Sequence, residues 1–396
     1  IDFLTRFQGL ESSSQKRGLE GTFAIIDQLA GFPIAAGAWE SSILPARIHN
    51  YSPSDLDALC LSGRVTWSAV PRTSAGPVKS TPIRISPRER DFPWLEASPI
   101  DPSEHLGADA RRLYDRLRTE GASFFPDLTR RAGLLSASAE TALRELVARG
   151  LATTDSFAGL RTLLTPADKR PDRQRGRSRS RPSGSIGMNA AGRVSCVLPP
   201  SPLEDTSNTS ENGASPERLA ADALTDLAWL LLRRWGVVFR KVLEREVGLP
   251  PWRDLLRVLH RLEARGEIRG GRFVNGFSGE QFALPDAVAT LRQLRRHAPS
   301  LTPIRVSGVD PLNLVGILTP DEKISSVSKS AVLWVGGVAA AVSEAGEARI
   351  LTRVAGLSDA TLLTALRVTP SPGRPHPAFV LQLPGASDKR ESSPSP

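Results

Sequence analysis

Residues 250–285 read "PPWRDLLRVLHRLEARGEIRGGRFVNGFSGEQFALP". Leu255, Leu259 and Leu262 fall on one side of a 3.6-residue period, within about 60° of one another. Pro251 suits a helix N-terminus and fixes where that helix begins. The residues after Gly266 carry the Gly and Asn that tight turns require and read as a hairpin. Two further helical segments come before it: "ERLAADALTDLAWLLLRRWG" (217–236) and "FRKVLEREVG" (239–248). A closing helix, "DAVATLRQLRRH", follows at 286–297. Three helices and a hairpin make the winged-helix variant of the helix-turn-helix.

Working outward, the pattern recurs. Residues 108–164 give a helix "ADARRLYDRLRTEG" with Leu113 and Leu117 on one stripe, then "FFPDLTRRAG" with Gly133 as C-cap. A third helix, "SASAETALRELVARG", opens on a Ser cap and groups Leu143, Leu146 and Val147. "LATTDSFAGLRTLL" then reads as two short strands around a turn. A less regular copy occupies residues 20–90. Its helices are "GTFAIIDQLAG", "AAGAWESSILPARI" and "SPSDLDALCLSG", and "RVTWSAV" and "TPIRIS" form its wing. Beyond residue 303 the runs "PIRVSGV", "NLVGIL", "AVLWVGGVAAAVSE", "ARILTRVAG" and "AFVLQL" are strand-like, interrupted by one helix, "SDATLLTALRV".

The expected architecture is α+β and multidomain, with tandem winged-helix modules followed by a small C-terminal β-barrel. The modules span 1–100, 101–166 and 217–298, and the barrel 299–384. Residues 167–216 form a basic and polar linker and 385–396 a tail. Both are too polar to bury a core and are expected to be disordered. "AGRVSCVL", inside that linker, reads as a short strand.

The chain of 396 residues carries a formal net charge of +9. That excess favours polyanionic partners. Cys60 and Cys196 form neither a disulfide framework nor a metal-ligand pair and read as reduced thiols. No run approaches the ~20 apolar residues of a membrane span. The five His are scattered, and no H-E-x-x-H, G-x-S-x-G or G-x-x-x-x-G-K-[ST] motif occurs. This chain is thus expected to need no metal or cofactor of its own and to hydrolyse no ATP. It starts at Ile1, and its one methionine is Met188, so it reads as a piece of a longer chain.

The helix faces separate the modules. Opposite the leucine stripe of 251–265 lie Arg253, Arg257, His260 and Ala264. The candidate DNA contacts are Arg253, Arg257, His260 and Arg261, with Arg269 and Arg272 on the wing. A solvated basic face that binds nothing is the bland alternative. The middle module shows Thr141, Glu145 and Ala148 opposite its core stripe, with Arg144 at the margin. The first shows Asp55 and Asp57, which repel phosphate. Both read as structural.

The segments "AAGAWESSILPARIHNYSPSDLDALCLSGRVTW", "TPIRISPRERDFPWL" and "DPLNLVGILTP" resemble the large helicase-related family of DNA-repair helicases. So does the whole of 229–285. The resemblance covers about residues 1–370, without the linker and tail. It implies a parent protein that is an ATP-dependent 3′-to-5′ helicase, bacterial, cytoplasmic and nucleoid-associated. Its motor would lie upstream and hold ATP and Mg²⁺. Implied partners are DNA, single-stranded or in RNA–DNA hybrids, that motor, and further copies of the chain. No membrane partner is implied. The C-terminal region of the family is similar to AlkZ-type DNA glycosylases, which carry Gln-apolar-Gln or Gln-apolar-Asp after the first helix. Here that position reads Gln28-Leu29-Ala30. A methyl group cannot hold the water that glycosidic cleavage needs, so the second polar group is missing. Gln28 is the one catalytic candidate, and a helix-end polar residue bonding freed carbonyls is the preferred reading. Glu40, in the next helix, could turn inward. Three functions remain: a DNA-binding, assembly-scaffolding helicase region without an ATPase site, which is preferred, an active glycosylase, or a winged-helix transcription regulator.

Overall fold

The computed structural model describes residues 1–90, 101, 103–165, 187–188, 191–197 and 216–368, with backbone alone at 216–220. Among the described residues no helix is long and apolar enough to cross a membrane. The Arg-rich run, the tail and the expected strand 378–383 lie outside them.

The N-terminal module starts with α1 (Asp2–Phe7), β1 (Lys16–Arg17) and α2 (Gly18–Gln28). The helix α2 ends as expected: Leu29 caps it and Gly31 turns the chain at φ 74°, a conformation that favours glycine. β2 (Ile34–Ala35) leads through 3₁₀ and π turns into α3 (Leu44–Arg47), β3 (Ile48–His49) and α4 (Pro53–Leu61). β4 (Val65–Ala69) and β5 (Pro82–Pro87) pair antiparallel, with β2 on the other edge of β5. The alternating burial of Val65, Trp67 and Ala69 is that of a half-buried strand.

The second module holds α5 (Ala108–Glu120), β6 (Ser123–Phe124), α6 (Phe125–Arg131), α7 (Ser136–Arg149), β7 (Ala152–Thr154) and α8 (Phe157–Leu164). Three expectations change here. The N-cap of α7 is Leu135, with no side-chain capping bond, and Ser136 is already helical. Residues 157–164 are a helix, not a strand. Phe157, Leu160 and Leu163 recur at helical spacing, and all three are buried. The module's sheet is completed by β8 (Arg193–Cys196), which lies between β6 and β7. This strand is thus part of the second module's sheet, not of a connecting linker.

The third module follows the reading of 250–285. It consists of α9 (Pro216–Trp235), β9 (Val237–Val238), α10 (Trp252–Ala264), β10 (Arg269–Gly271), β11 (Gln281–Ala283) and α11 (Pro285–Leu294). The expected helix at 239–248 is only a 3₁₀ turn, Val242–Arg245. Val242 and Leu243 supply its buried side chains, while Arg245 and Glu246 are drawn into bonds with other elements.

After it comes an antiparallel meander of β12 (Ile304–Ser307), β13 (Ala331–Val335), β14 (Val338–Glu344) and β15 (Glu347–Ile350). The helix α12 (Asp359–Arg367) packs on it through Leu362, Ala365 and Leu366. The described sheet is open, not a closed barrel. Residues 313–318 form turns instead of a strand. Asn313 Nδ2 pins them by donating to Gly308 O at 2.8 Å and Ile324 O at 3.1 Å.

Two cores organise the chain. The first is shared by the N-terminal and second modules, for example Trp39 and Trp67 with Leu143 and Phe157. The second joins Phe3, Leu4 and Ala30 to the third module (Trp235, Leu259) and to the meander (Val332, Trp334). The N-terminal residues therefore bridge the two halves.

Candidate nucleic-acid interface and the Gln28 junction

The core stripe of α10 is Leu255, Val258, Leu259 and Leu262, each no more than 2% exposed. Arg253, Arg257, His260 and Arg261 stand on its exposed side as the spacing predicts. Acidic neighbours modify that face. Arg257 Nη1 bonds Asp254 at 3.1 Å, and Arg253 Nε approaches the same carboxylate at 3.7 Å. His260 Nε2 lies 3.1 Å from Glu280, and its Nδ1 lies 3.6 Å from Glu263. By contrast Arg261, Arg269 and Arg272 are exposed, and their guanidiniums have no hydrogen bond or ion pair among the described residues. The wing that carries the last two is held by a side chain that the sequence reading missed. Gln281 is 1% exposed. Its Oε1 accepts from Phe273 N and Val274 N, both at 2.8 Å, and its Nε2 donates to Val274 O at 2.9 Å.

The corresponding helices of the other modules are engaged elsewhere. Arg144 donates to Glu140 at 2.7 Å and to Thr165 O at 3.1 Å. Ala148 is buried rather than surface-facing. Arg149 donates to Thr73 O, Glu104 O and His105 O at 2.6, 2.7 and 2.9 Å, so the end of α7 is packed away from solvent. Glu40 does turn inward, toward Arg161. That guanidinium grips Glu40 at 2.7 and 2.9 Å and Asp57 at 3.1 Å, and Tyr51 Oη adds a bond to Glu40 at 2.8 Å. Burial beside Glu40 pushes the Tyr51 pKa upward. This cluster ties α8 to the N-terminal module. An open cleft of about 510 Å³ between the N-terminal turns of α5 and α7 is lined by Asp109, Thr141 and Glu145 and by no basic side chain, so it does not suit phosphate.

Gln28 sits where three helices end. Its Nε2 donates to Phe7 O, in the last residue of α1, at 3.1 Å and to Arg233 O, in the last turn of α9, at 3.3 Å. These are helix C-terminal carbonyls, which have no partner inside their own helices. The preferred reading of a carbonyl-bonding residue describes this geometry, except that the carbonyls belong to neighbouring helices. Ala30 is fully buried, and its carbonyl accepts from Arg234 Nη2. Asp27 points to a different partner, Arg90, at 2.8 Å.

Beside Gln28 runs a buried polar ladder that local pattern could not reveal. Gln8 Nε2 donates to Arg234 O at 2.9 Å, and Gln8 Oε1 accepts from Arg47 at 3.0 Å. Arg47 meets Asp310 through two bonds of 2.7 and 2.8 Å, with both side chains no more than 1% exposed. Arg234 bonds Glu246 at 2.6 Å, and Trp235 Nε1 donates to the same carboxylate at 2.7 Å. Arg245 reaches Asp310 O at 2.9 Å. These groups join the N-terminal module, the third module and the meander, while the Nε atoms of Arg47, Arg234 and Arg245 stay buried without a partner. Neither this junction nor any other described part of the chain brings together three His, Cys, Asp or Glu side chains able to hold a metal. Burial raises Cys60 to a pKa of about 12 and Cys196 to about 11, so both are inert thiols at neutral pH.

The sequence was compared with known proteins. Residues 1–88 match the third, and residues 217–302 the fourth, of the domains described as "large helicase-related protein, winged-helix domain". Over 327 residues the chain is 31% identical to the Lhr helicase/uracil glycosylase of Escherichia coli, which covers 76% of this chain. Over 325 residues it is 29% identical to the "Lhr helicase/ probable uracil glycosylase" of Mycolicibacterium smegmatis, covering 79% of this chain. In both cases the match spans only 20% of the relative, so the chain corresponds to about a fifth of those proteins. With two of the family's winged-helix domains present in the family's order, the chain belongs to the large helicase-related family.

Proposed function

We propose that this chain is the nucleic-acid-binding and assembly-scaffolding part of a helicase of the large helicase-related type. The observation that carries the reading is the third module's wing. Arg269 and Arg272, with Arg261 on α10, are exposed guanidiniums without a carboxylate partner among the described residues. Such groups gain most from phosphate, because they release no internal partner on binding. Arg253, Arg257 and His260 extend the surface but share it with Asp254, Glu263 and Glu280. ATP and Mg²⁺ would be held by the motor of such a helicase. The sequence has no phosphate-binding loop, and no three-residue metal-ligand cluster occurs among the described residues. On this reading the motor that uses them belongs to the rest of a longer protein. The soluble, nucleoid-associated setting and the closing of the meander into a barrel belong to the same proposal.

The test is binding of this chain to single-stranded DNA and to an RNA–DNA hybrid across a salt series. Arg269→Ala with Arg272→Ala should weaken binding and flatten the plot of log affinity against log salt by about 0.7 per lost phosphate contact on single strands. Arg253→Ala with Arg257→Ala should do less, because Asp254 already occupies both. Equal or greater loss from the Arg253 and Arg257 pair would move the contact from wing to helix. No measurable binding by the unaltered chain would overturn the reading.

A further inference from the structure

Arg233 differs from every arginine of the ladder beside it. Its side chain is half-buried, and its Nε, like those of Arg47, Arg234 and Arg245, is screened from solvent without a hydrogen-bond partner. Among the described residues the guanidinium makes no hydrogen bond or ion pair. Its backbone is fixed, because the carbonyl accepts from Gln28 Nε2 at 3.3 Å. The charges that act on it are Arg90, Asp27 and Asp226. Asp27 is already bound to Arg90 at 2.8 Å, where the two side chains remain 24% and 28% exposed. Asp226, two turns back on α9, stays outside ion-pair distance. Desolvation outweighs both carboxylates and lowers the Arg233 pKa, the sign of a cation held where it has too little negative charge. Leaving such a group unpaired costs stability, which an incoming anion would recover.

A second feature shares the site. Trp229 stands one turn before Arg233 on the same face of α9, half-buried against the core. Trp39, Trp67, Trp235 and Trp334 are at most 1% exposed, whereas Trp229 and Trp252 are left partly open among the described residues. A partly open aromatic face beside an unpaired guanidinium is the combination that single strands use, with a base stacked on the ring and its phosphate on the cation.

We infer that Arg233, Arg90 and Trp229 form a second phosphate-and-base site for single-stranded nucleic acid, at the seam between α2 and α9. The phosphate takes the open donors of Arg233, while Arg90, anchored by Asp27, adds charge. This inference rests on the reading of the chain as a strand-binding region, and the test separates the two.

The test measures anisotropy of a labelled oligothymidylate of about 16 nucleotides, with the whole chain, across a salt series. Arg233→Gln keeps the packed stem and removes the charge. It should bind about five- to tenfold more weakly, with a smaller salt slope. Arg90→Gln, on the surface, should lower affinity in the same direction. Trp229→Leu should lower it with the salt slope unchanged and should abolish the tryptophan quench seen on strand binding. Melting temperature controls for folding, with Arg90→Gln as the variant least able to disturb it. Wild-type affinity in Arg233→Gln and Arg90→Gln, with loss only in the wing variant, overturns this site and leaves the wing reading intact. A wild-type chain that binds no strand overturns both. Inorganic phosphate that binds the wild type but not Arg233→Gln, while strand affinity stays unchanged, assigns the site to a free anion and overturns the strand reading.

Discussion

Replacing Gln28 by alanine deletes an amide that donates to Phe7 O at 3.1 Å and Arg233 O at 3.3 Å. Both carbonyls end helices, and neither gains a substitute donor from a methyl group. Two net hydrogen bonds of about 0.5–1.5 kcal/mol each give a loss of roughly 1–3 kcal/mol. At about 2–4 °C per kcal/mol for a unit of this size, the melting temperature should fall by roughly 2–12 °C. The loss should appear in the cooperative unit that includes α1 and α9, since Gln28 fastens both. Differential scanning calorimetry reads the stability. Incubation with uracil-containing single-stranded DNA, followed by alkali, reads base excision. A Gln28→Ala chain that melts like wild type but loses an excision activity present in wild type would refute the structural role and make Gln28 a catalytic residue.

Further expectations follow from other sites. Asp310→Ala strands the Arg47 guanidinium in a fully buried position and should cost about 3–5 kcal/mol, read by chemical denaturation. Replacing Arg47 and Asp310 together by Met and Leu should recover most of that loss. Arg144→Ala should leave nucleic-acid affinity unchanged, because Arg144 is already spent on Glu140 and Thr165 O. Cys60, raised to about 12, should resist thiol reagents at pH 8 in the folded chain and react on unfolding. Its folded pKa lies above its unfolded one, so its contribution to stability is complete below about pH 9 and is lost as pH rises toward 12.

What the sequence makes legible is what its local spacing carries. The leucine stripe of α10 and the Gly- and Asn-rich hairpin after it are written within 36 consecutive residues, and both form as read. The second module's wing is not legible this way. Its central strand, Arg193–Cys196, pairs with residues about 40 and 70 positions earlier, across a run with no apolar period. Residues 157–164 misled because "FAGLRTLL" is short enough to fit either period, and only burial of Phe157, Leu160 and Leu163 on one side decides for a helix. The third module's second helix fails because its sequence is spent elsewhere. Glu246 and Arg245 leave local bonding to reach Arg234, Trp235 and Asp310.

The candidate site shows the same division. Which residues face outward on α10 follows from spacing, but which of them are free depends on Asp254 and Glu263 within the helix and on Glu280 in the wing. Arg47 and Asp310 lie 263 positions apart, so nothing local announces their pairing.

The arginines explain why net charge alone is a poor guide to this protein. Arg47, Arg149, Arg161 and Arg234 are committed to carbonyls and carboxylates between modules. A planar guanidinium with five donors suits that role, since one side chain can answer several helix-end carbonyls or a whole carboxylate. Such groups raise the formal charge yet offer phosphate nothing unless the modules separate. Among the described residues, the cations that no carboxylate answers include Arg261, Arg269 and Arg272 at the wing and Arg233 at the seam, together with other exposed side chains such as Arg295 and Arg296. If that division holds, the salt dependence of strand binding should count these few residues rather than the overall excess of +9. Asp310→Ala, which leaves Arg47 buried, should weaken the fold without changing that slope.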